Sequence, residues 1–238
     1  MALENLFQPA WNAPDGYAPF STRPPKPCMP RRFPKERDAE IALERLFSNY
    51  PEVRLVPQVR ITETGHPPQY IDYVAVFPEP LSLRIVGIEC KRAFDSIKDV
   101  CAAIRQGMRY RKARISDDRL SPFLGDRLPF VFLWPEFDLF SGEDWTPPVP
   151  NAGQFKAEYR GYCRGAEQAL KLFAHHFNVG TVETEPWWSR DEQEWKPGIC
   201  LMNGQQTVWT SRYIDSIEDG LRAGAKLGDP KRGMRFLT

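Results

Sequence analysis

Apolar and polar positions alternate over residues 70–77 and again over 83–88, with Pro78, Glu79 and Pro80 between them. A period of two marks half-buried strands and the prolines force a turn, so the two stretches predict an antiparallel hairpin. Folded about the Pro80/Leu81 midpoint, the hairpin sets Val76 opposite Ile85, Val74 opposite Gly87 and Asp72 opposite Glu89. A helical period precedes it: residues 35–50 carry Ile41, Leu43, Leu46 and Phe47 on one side and Glu36, Glu40 and Glu44 at every fourth place, closed by Pro51. Residues 53–62 read as a first strand and 63–68 as the loop into the second. After the hairpin, residues 96–114 predict a helix with Ile97, Val100, Cys101, Ile104 and Met108 as its buried stripe.

The pattern continues to the C-terminus. It predicts a buried strand over 129–134, a proline-rich loop over 141–153, a helix over 156–177 and a strand over 179–185. Two strands follow over 199–210, turning at Asn203-Gly204, a strong hairpin signal, with a last helix over 211–227. Residues 1–34 hold eight prolines together with Trp11, Tyr17 and Phe20, a spacing that forbids helix. They predict an extended arm that packs across the domain or onto a partner subunit, the alternative being a partly disordered leader. The domain proper then spans 35–238, with a core over 35–135 and an extension over 136–238.

Composition narrows the classes. At 238 residues and 42% hydrophobic content the chain sustains one sizeable core. No run approaches the roughly 18 apolar residues of a membrane span, and no basic segment followed by an apolar one opens the chain, so a cytoplasmic protein is expected. The five cysteines are scattered without C-x-x-C spacing, which argues against a zinc site or a disulfide framework. A net charge of +1 leaves no global footprint for nucleic acid, so any such contact must be local. Trp187, Trp188, Trp195 and Trp209 crowd the C-terminal half, as core packing or as a stacking platform for a base.

The chemistry gathers on the hairpin. Residues directly opposite on one face have Cβ atoms about 5 Å apart, and two carboxylates there repel unless a cation or a proton is shared. Lys91, two residues past Glu89, points to the same face. Two acids and a lysine suit a hard divalent cation with positions left for water and a phosphate oxygen. On the following helix Gln106 and Tyr110 share a face. Arg105, Arg109 and Lys112 form a basic stripe suited to a phosphate backbone, with a solvated helix face as the alternative. His66 lies in the loop before Asp72 and reads as a bystander.

An acid on the second strand, a turn, and Glu-x-Lys on the third, with an acidic helix before and a helix after, resembles the PD-(D/E)XK nuclease superfamily over residues 35–114. Ile71 stands where the family's name has a proline. Gln106 and Tyr110 resemble the additional Gln-x-x-x-Tyr motif of its RecB and lambda-exonuclease branch. The resemblance implies an α/β, restriction-endonuclease-like fold: a mixed sheet flanked by helices in α-β-β-β-α-β order, here with a C-terminal α+β extension. It implies Mg²⁺ or Mn²⁺ held by Asp72, Glu89, the Cys90 carbonyl and Glu40, with Lys91, Gln106 and Tyr110 completing the catalytic set. The expected activity is hydrolysis of phosphodiester bonds in DNA, with a homo-oligomer formed through the arm as a possible assembly. The alternative is a silent nuclease-fold protein that binds nucleic acid or a protein partner. His175 and His176 are adjacent and cannot face one ligand together.

Overall fold

A computed structural model describes residues 29–78, 83–139, 152–189 and 194–211. The chain forms a mixed α/β structure around one eight-stranded sheet in the order β10-β9-β6-β5-β3-β2-β1-β4. These strands are β1 (Arg54–Thr62), β2 (Gln69–Val76), β3 (Ile85–Cys90), β4 (Arg114–Ile115), β5 (Val131–Trp134), β6 (Val179–Thr184), β9 (Ile199–Asn203) and β10 (Gln206–Thr210). A separate two-stranded ribbon pairs β7 (Trp187–Ser189) with β8 (Glu194–Lys196). Only the β3·β5 and β5·β6 pairs are parallel, so the sheet is mostly antiparallel.

The hairpin register expected from the alternation is the observed one: Val76 pairs with Ile85, Val74 with Gly87 and Tyr73 with Ile88. Side-chain alternation splits the core into two layers. Tyr73, Ala75, Val86, Ile88, Phe132 and Trp134 meet helix α1 (Glu36–Phe47), which turns Ala39, Leu43, Leu46 and Phe47 toward them. Val74, Ile85, Val131 and Leu133 face the other way, toward α2 (Ile97–Lys112) and α3 (Ala152–His175). Helix α1 starts after Pro34, where the Asp38 carboxylate accepts the Lys35 backbone N–H at 3.0 Å. Helix α2 starts at Ser96, whose hydroxyl accepts from the Asp99 N–H at 3.1 Å.

Several expectations need correction. The buried face of α2 is Val100, Ala103, Ile104, Gly107 and Tyr110, whereas Ile97 is exposed and Cys101 and Met108 are only half-buried. The helix is rotated because small residues let its backbone approach the sheet: a Cβ at Gly107 would lie 3.0 Å from Val179 Cγ2. Arg114 is not helical but begins β4, followed by a 3-10 helix, Asp118–Phe123. Helix α3 starts at Ala152, four residues earlier than predicted, and the β7·β8 ribbon was not predicted at all. Of the arm, residues 29–34 are described: Phe33 is buried against Trp134, and its N–H donates to the Arg92 carbonyl at 3.0 Å. Trp11, Tyr17 and Phe20 lie outside the described residues, as do nearly all of the 141–153 loop and the 211–227 helix. Among the described residues no helix is long and apolar enough to cross a membrane.

Candidate active site

Glu89 and Cys90 end β3, which pairs there with β5, and the Lys91 N–H donates to the Trp134 carbonyl at 2.8 Å. On the other side the β2·β3 ladder stops at Tyr73 and Ile88. Beyond that point Asp72 Oδ2 accepts the Cys90 N–H at 2.7 Å, so a carboxylate closes the hairpin's open end. The cross-strand position of Asp72 and Glu89 follows from a register that the apolar residues set. A one-residue slip would turn Val74 and Ile85 out of the core.

Glu89 is 1% exposed. Its Oε1 accepts from Lys91 Nζ at 2.5 Å and from Gln106 Nε2 at 2.6 Å. Its Oε2 is buried and receives no hydrogen bond, and the group facing it is the Asp72 carboxylate, with which it can share only a proton or a cation. Leaving such an acceptor bare costs about 1–3 kcal/mol, so this oxygen requires an explanation. Burial first, and then the neighbouring Asp72 charge, push the Glu89 carboxyl up to about 7, against the opposing pull of Lys91. Burial pulls the Lys91 ammonium down, but the Glu89 and Glu36 carboxylates outweigh it and raise it above its ordinary value.

Helix α2 braces the buried acid. The Gln106 amide donates to both Glu89 Oε1 and the Tyr110 hydroxyl, and that hydroxyl donates to the Tyr70 carbonyl at 3.2 Å. The spacing of four puts Gln106 and Tyr110 one above the other, which allows one amide nitrogen to serve both. Burial, followed by the Glu89 charge, raises the Tyr110 phenol, which therefore stays neutral.

The acids of α1 reach three different partners, and Glu40, expected at the metal, lies near enough to act on the Cys90 thiol. Glu40 pairs with Arg37 at 2.6 Å, and Glu44 accepts from the Tyr73 hydroxyl at 2.6 Å. The α1 carboxylate that reaches Lys91 is Glu36, at 3.3 Å. Cys90 turns its thiol into the α1 layer, where burial and then the Asp72 charge raise it well above its usual value. His66 is exposed in the loop before β2.

Gln58 was not singled out by the sequence reading. It adopts φ 48° in the middle of β1, and the ladder passes it by, pairing Pro57 with Tyr73 and Val59 with Ile71. Its amide lies 3.4 Å from Asp72 Oδ1, and its carbonyl accepts from Arg119, which in turn pairs with Asp117 at 2.7 Å. Pro57 was the available signal, because a proline inside a strand marks an edge or a bulge.

Arg105, Arg109 and Lys112 are exposed, and none has an ion-pair partner among the described residues. No family model, curated protein or solved structure matches this chain. The functional reading therefore rests on the side chains themselves. Among the described residues, no three His, Cys, Asp or Glu side chains converge on one point. The fit to a divalent cation rests instead on two carboxylates, one with a bare, buried oxygen, and hard oxygen donors are what Mg²⁺ and Mn²⁺ take.

Proposed function

We propose that the chain is a divalent-metal-dependent nuclease of the PD-(D/E)XK type that hydrolyses phosphodiester bonds in DNA. The observation that carries this reading is the buried Oε2 of Glu89, which receives no hydrogen bond and faces the Asp72 carboxylate, while Lys91 holds the other oxygen. The order of α1, three antiparallel strands, α2 and then a parallel strand supports a restriction-endonuclease-like core.

Asp72, Glu89 and the carbonyl of Cys90 would hold Mg²⁺ or Mn²⁺. When bound, the ion supplies Lewis-acid polarisation of a phosphate oxygen and a lowered pKa for water. Lys91, paired with Glu89 and Glu36, would position or deprotonate water or stabilise charge developing on the phosphoryl group. Gln106 fixes the rotamer of Glu89 by occupying Oε1, which leaves Oε2 as the donor. Tyr110 holds Gln106 in turn. The exposed stripe of Arg105, Arg109 and Lys112 would take backbone phosphates without reading sequence.

The test is a cleavage assay on linear, circular and single-stranded DNA with Mg²⁺, Mn²⁺ or EDTA. Cutting that needs the metal and is lost in Lys91→Ala supports the reading. Metal-independent binding to DNA with no cutting under any condition would move the chain to the silent, binding class.

A further inference from the structure

A second cluster of positive charge lies at the opposite end of the parallel strands. Glu89 ends β3, whereas Arg127, Leu128 and Pro129 lead into β5 and Phe177 leads into β6. These residues, with Arg111 and Lys112 from the last turn of α2, border a cleft of about 300 Å³. Among the described residues its lining holds three cations and no acid.

Two further observations show that no carboxylate among the described residues neutralises this charge. Arg111 is half-buried, its Nη1 donates to the Phe177 carbonyl at 2.6 Å, and its Nε is buried with no partner. Burial lowers its guanidinium, and no acid among the described residues counteracts the shift. A guanidinium removed from water without a counter-charge is costly, which is why buried arginines are ordinarily paired with carboxylates or phosphates. Arg127 also pairs across an isolated antiparallel bridge with Arg114, and like charges directly opposite are destabilising. Arg114 turns to the Gly125 carbonyl at 2.6 Å, an uncharged acceptor that leaves its charge in place.

We propose that this cleft is an anion site for a phosphate group, held by Arg111, Lys112 and Arg127 against an apolar wall of Met108, Leu128 and Phe177. The exposed Arg127 fork matches tetrahedral phosphate oxygens, Arg111 and the lysine add positive charge, and the apolar wall strengthens these interactions by excluding water. The site is separate from the acidic centre and does not depend on the nuclease reading. Arg111 lies five residues beyond Gln106, roughly 7–8 Å along the helix axis. A phosphate in the cleft therefore lies within a few nucleotides' reach of Glu89. The same chemistry also suits free phosphate.

The test uses the full chain in EDTA, so that no cutting intervenes. Inorganic phosphate is titrated calorimetrically, with chloride at matched ionic strength as control. Saturable binding of phosphate, weakened about tenfold in Arg127→Gln and in Arg111→Gln, is expected. Arg127 is exposed, so its variant decides the matter if Arg111→Gln fails to fold. Competition with oligonucleotides that carry or lack a 5′-phosphate then separates the sources. Displacement only by the phosphorylated strand assigns the site to a strand end, equal displacement by both assigns it to the backbone, and displacement by neither assigns it to free phosphate. No saturable phosphate binding, or binding unchanged in Arg127→Gln, overturns the proposal.

Discussion

Two lysine-carboxylate clusters sit at the C-terminal ends of neighbouring parallel strands, and they differ in what they leave unsatisfied. Lys171 of α3 pairs with Glu136, just past β5, at 2.9 Å and with Glu183 of β6 at 2.7 Å. Glu136 spends its second oxygen on Arg31 at 2.8 Å, and Glu183 takes a further bond from Thr181 and retains contact with solvent. At the end of β3, by contrast, Lys91 meets a Glu89 whose second oxygen is buried and bare, with Asp72 close enough to raise its pKa. The residue types are the same, but the first cluster is closed and the second has spare acceptor capacity. A closed cluster ties elements together. An open one, maintained at a cost in stability, is what the proposed function fills with a metal ion.

The largest expected difference between the clusters is in chemistry. Asp72→Ala and Glu89→Ala should lower single-turnover cleavage together with metal affinity, with partial rescue at high Mn²⁺. Lys91→Ala should cost on the order of 10² in rate with metal binding intact. Lys171→Met should leave the rate per folded molecule unchanged. Loss of cutting in Lys171→Met, or full activity in Lys91→Ala, would erase the distinction.

Next comes the pH dependence of stability. Glu89 is raised from 4.5 to about 7, so the folded state holds a proton that the unfolded state has released. The stabilisation from this proton is fully present below about pH 4.5 and is lost as pH rises toward 7, by on the order of 3 kcal/mol. Urea unfolding across that range should show the decline in the wild type and a flatter profile in Glu89→Gln. An unchanged profile would mean that Glu89 is not held out of water as described.

Lys171→Met should instead lower stability at all these pH values, by about 2 kcal/mol, because it strands two half-buried carboxylates. Smaller effects sharpen the open cluster. Gln106→Leu should slow cleavage about tenfold by freeing the Glu89 rotamer, with Tyr110→Phe milder because the hydroxyl's two bonds are lost while the Gln106 bond to Glu89 survives. Smallest of all, Arg109→Ala should weaken DNA binding alike on every sequence and lower the log-log salt slope by about one unit.

Much of this arrangement was legible because it depends on local periodicity. The alternation around Val74, Val76, Ile85 and Gly87 fixes both the register and the cross-strand position of Asp72 and Glu89. The four-residue spacing of Gln106 and Tyr110 likewise anticipates their hydrogen bond. What escaped depends on tertiary packing. Glu36, Glu40 and Glu44 are equivalent by spacing, and only the docking of α1 on the sheet decides that Glu36 reaches Lys91 while Glu40 turns to Arg37. The rotation of α2 was hidden because Ala103 and Gly107, which carry little hydrophobic signal, make its closest approach to the sheet. Gln58 escaped because its left-handed conformation is imposed within β1, where Arg119, sixty-one residues away, holds its carbonyl.

The most direct test of the open cluster is a calorimetric titration with Mn²⁺ of the wild type, Glu89→Ala, Asp72→Ala, Lys91→Ala and Lys171→Met. The account predicts saturable binding in the wild type and in Lys171→Met, equal or tighter binding in Lys91→Ala, and at least tenfold weaker binding in both acid variants. Binding that survives unchanged in Glu89→Ala and Asp72→Ala, or that never occurs in the wild type, would contradict it.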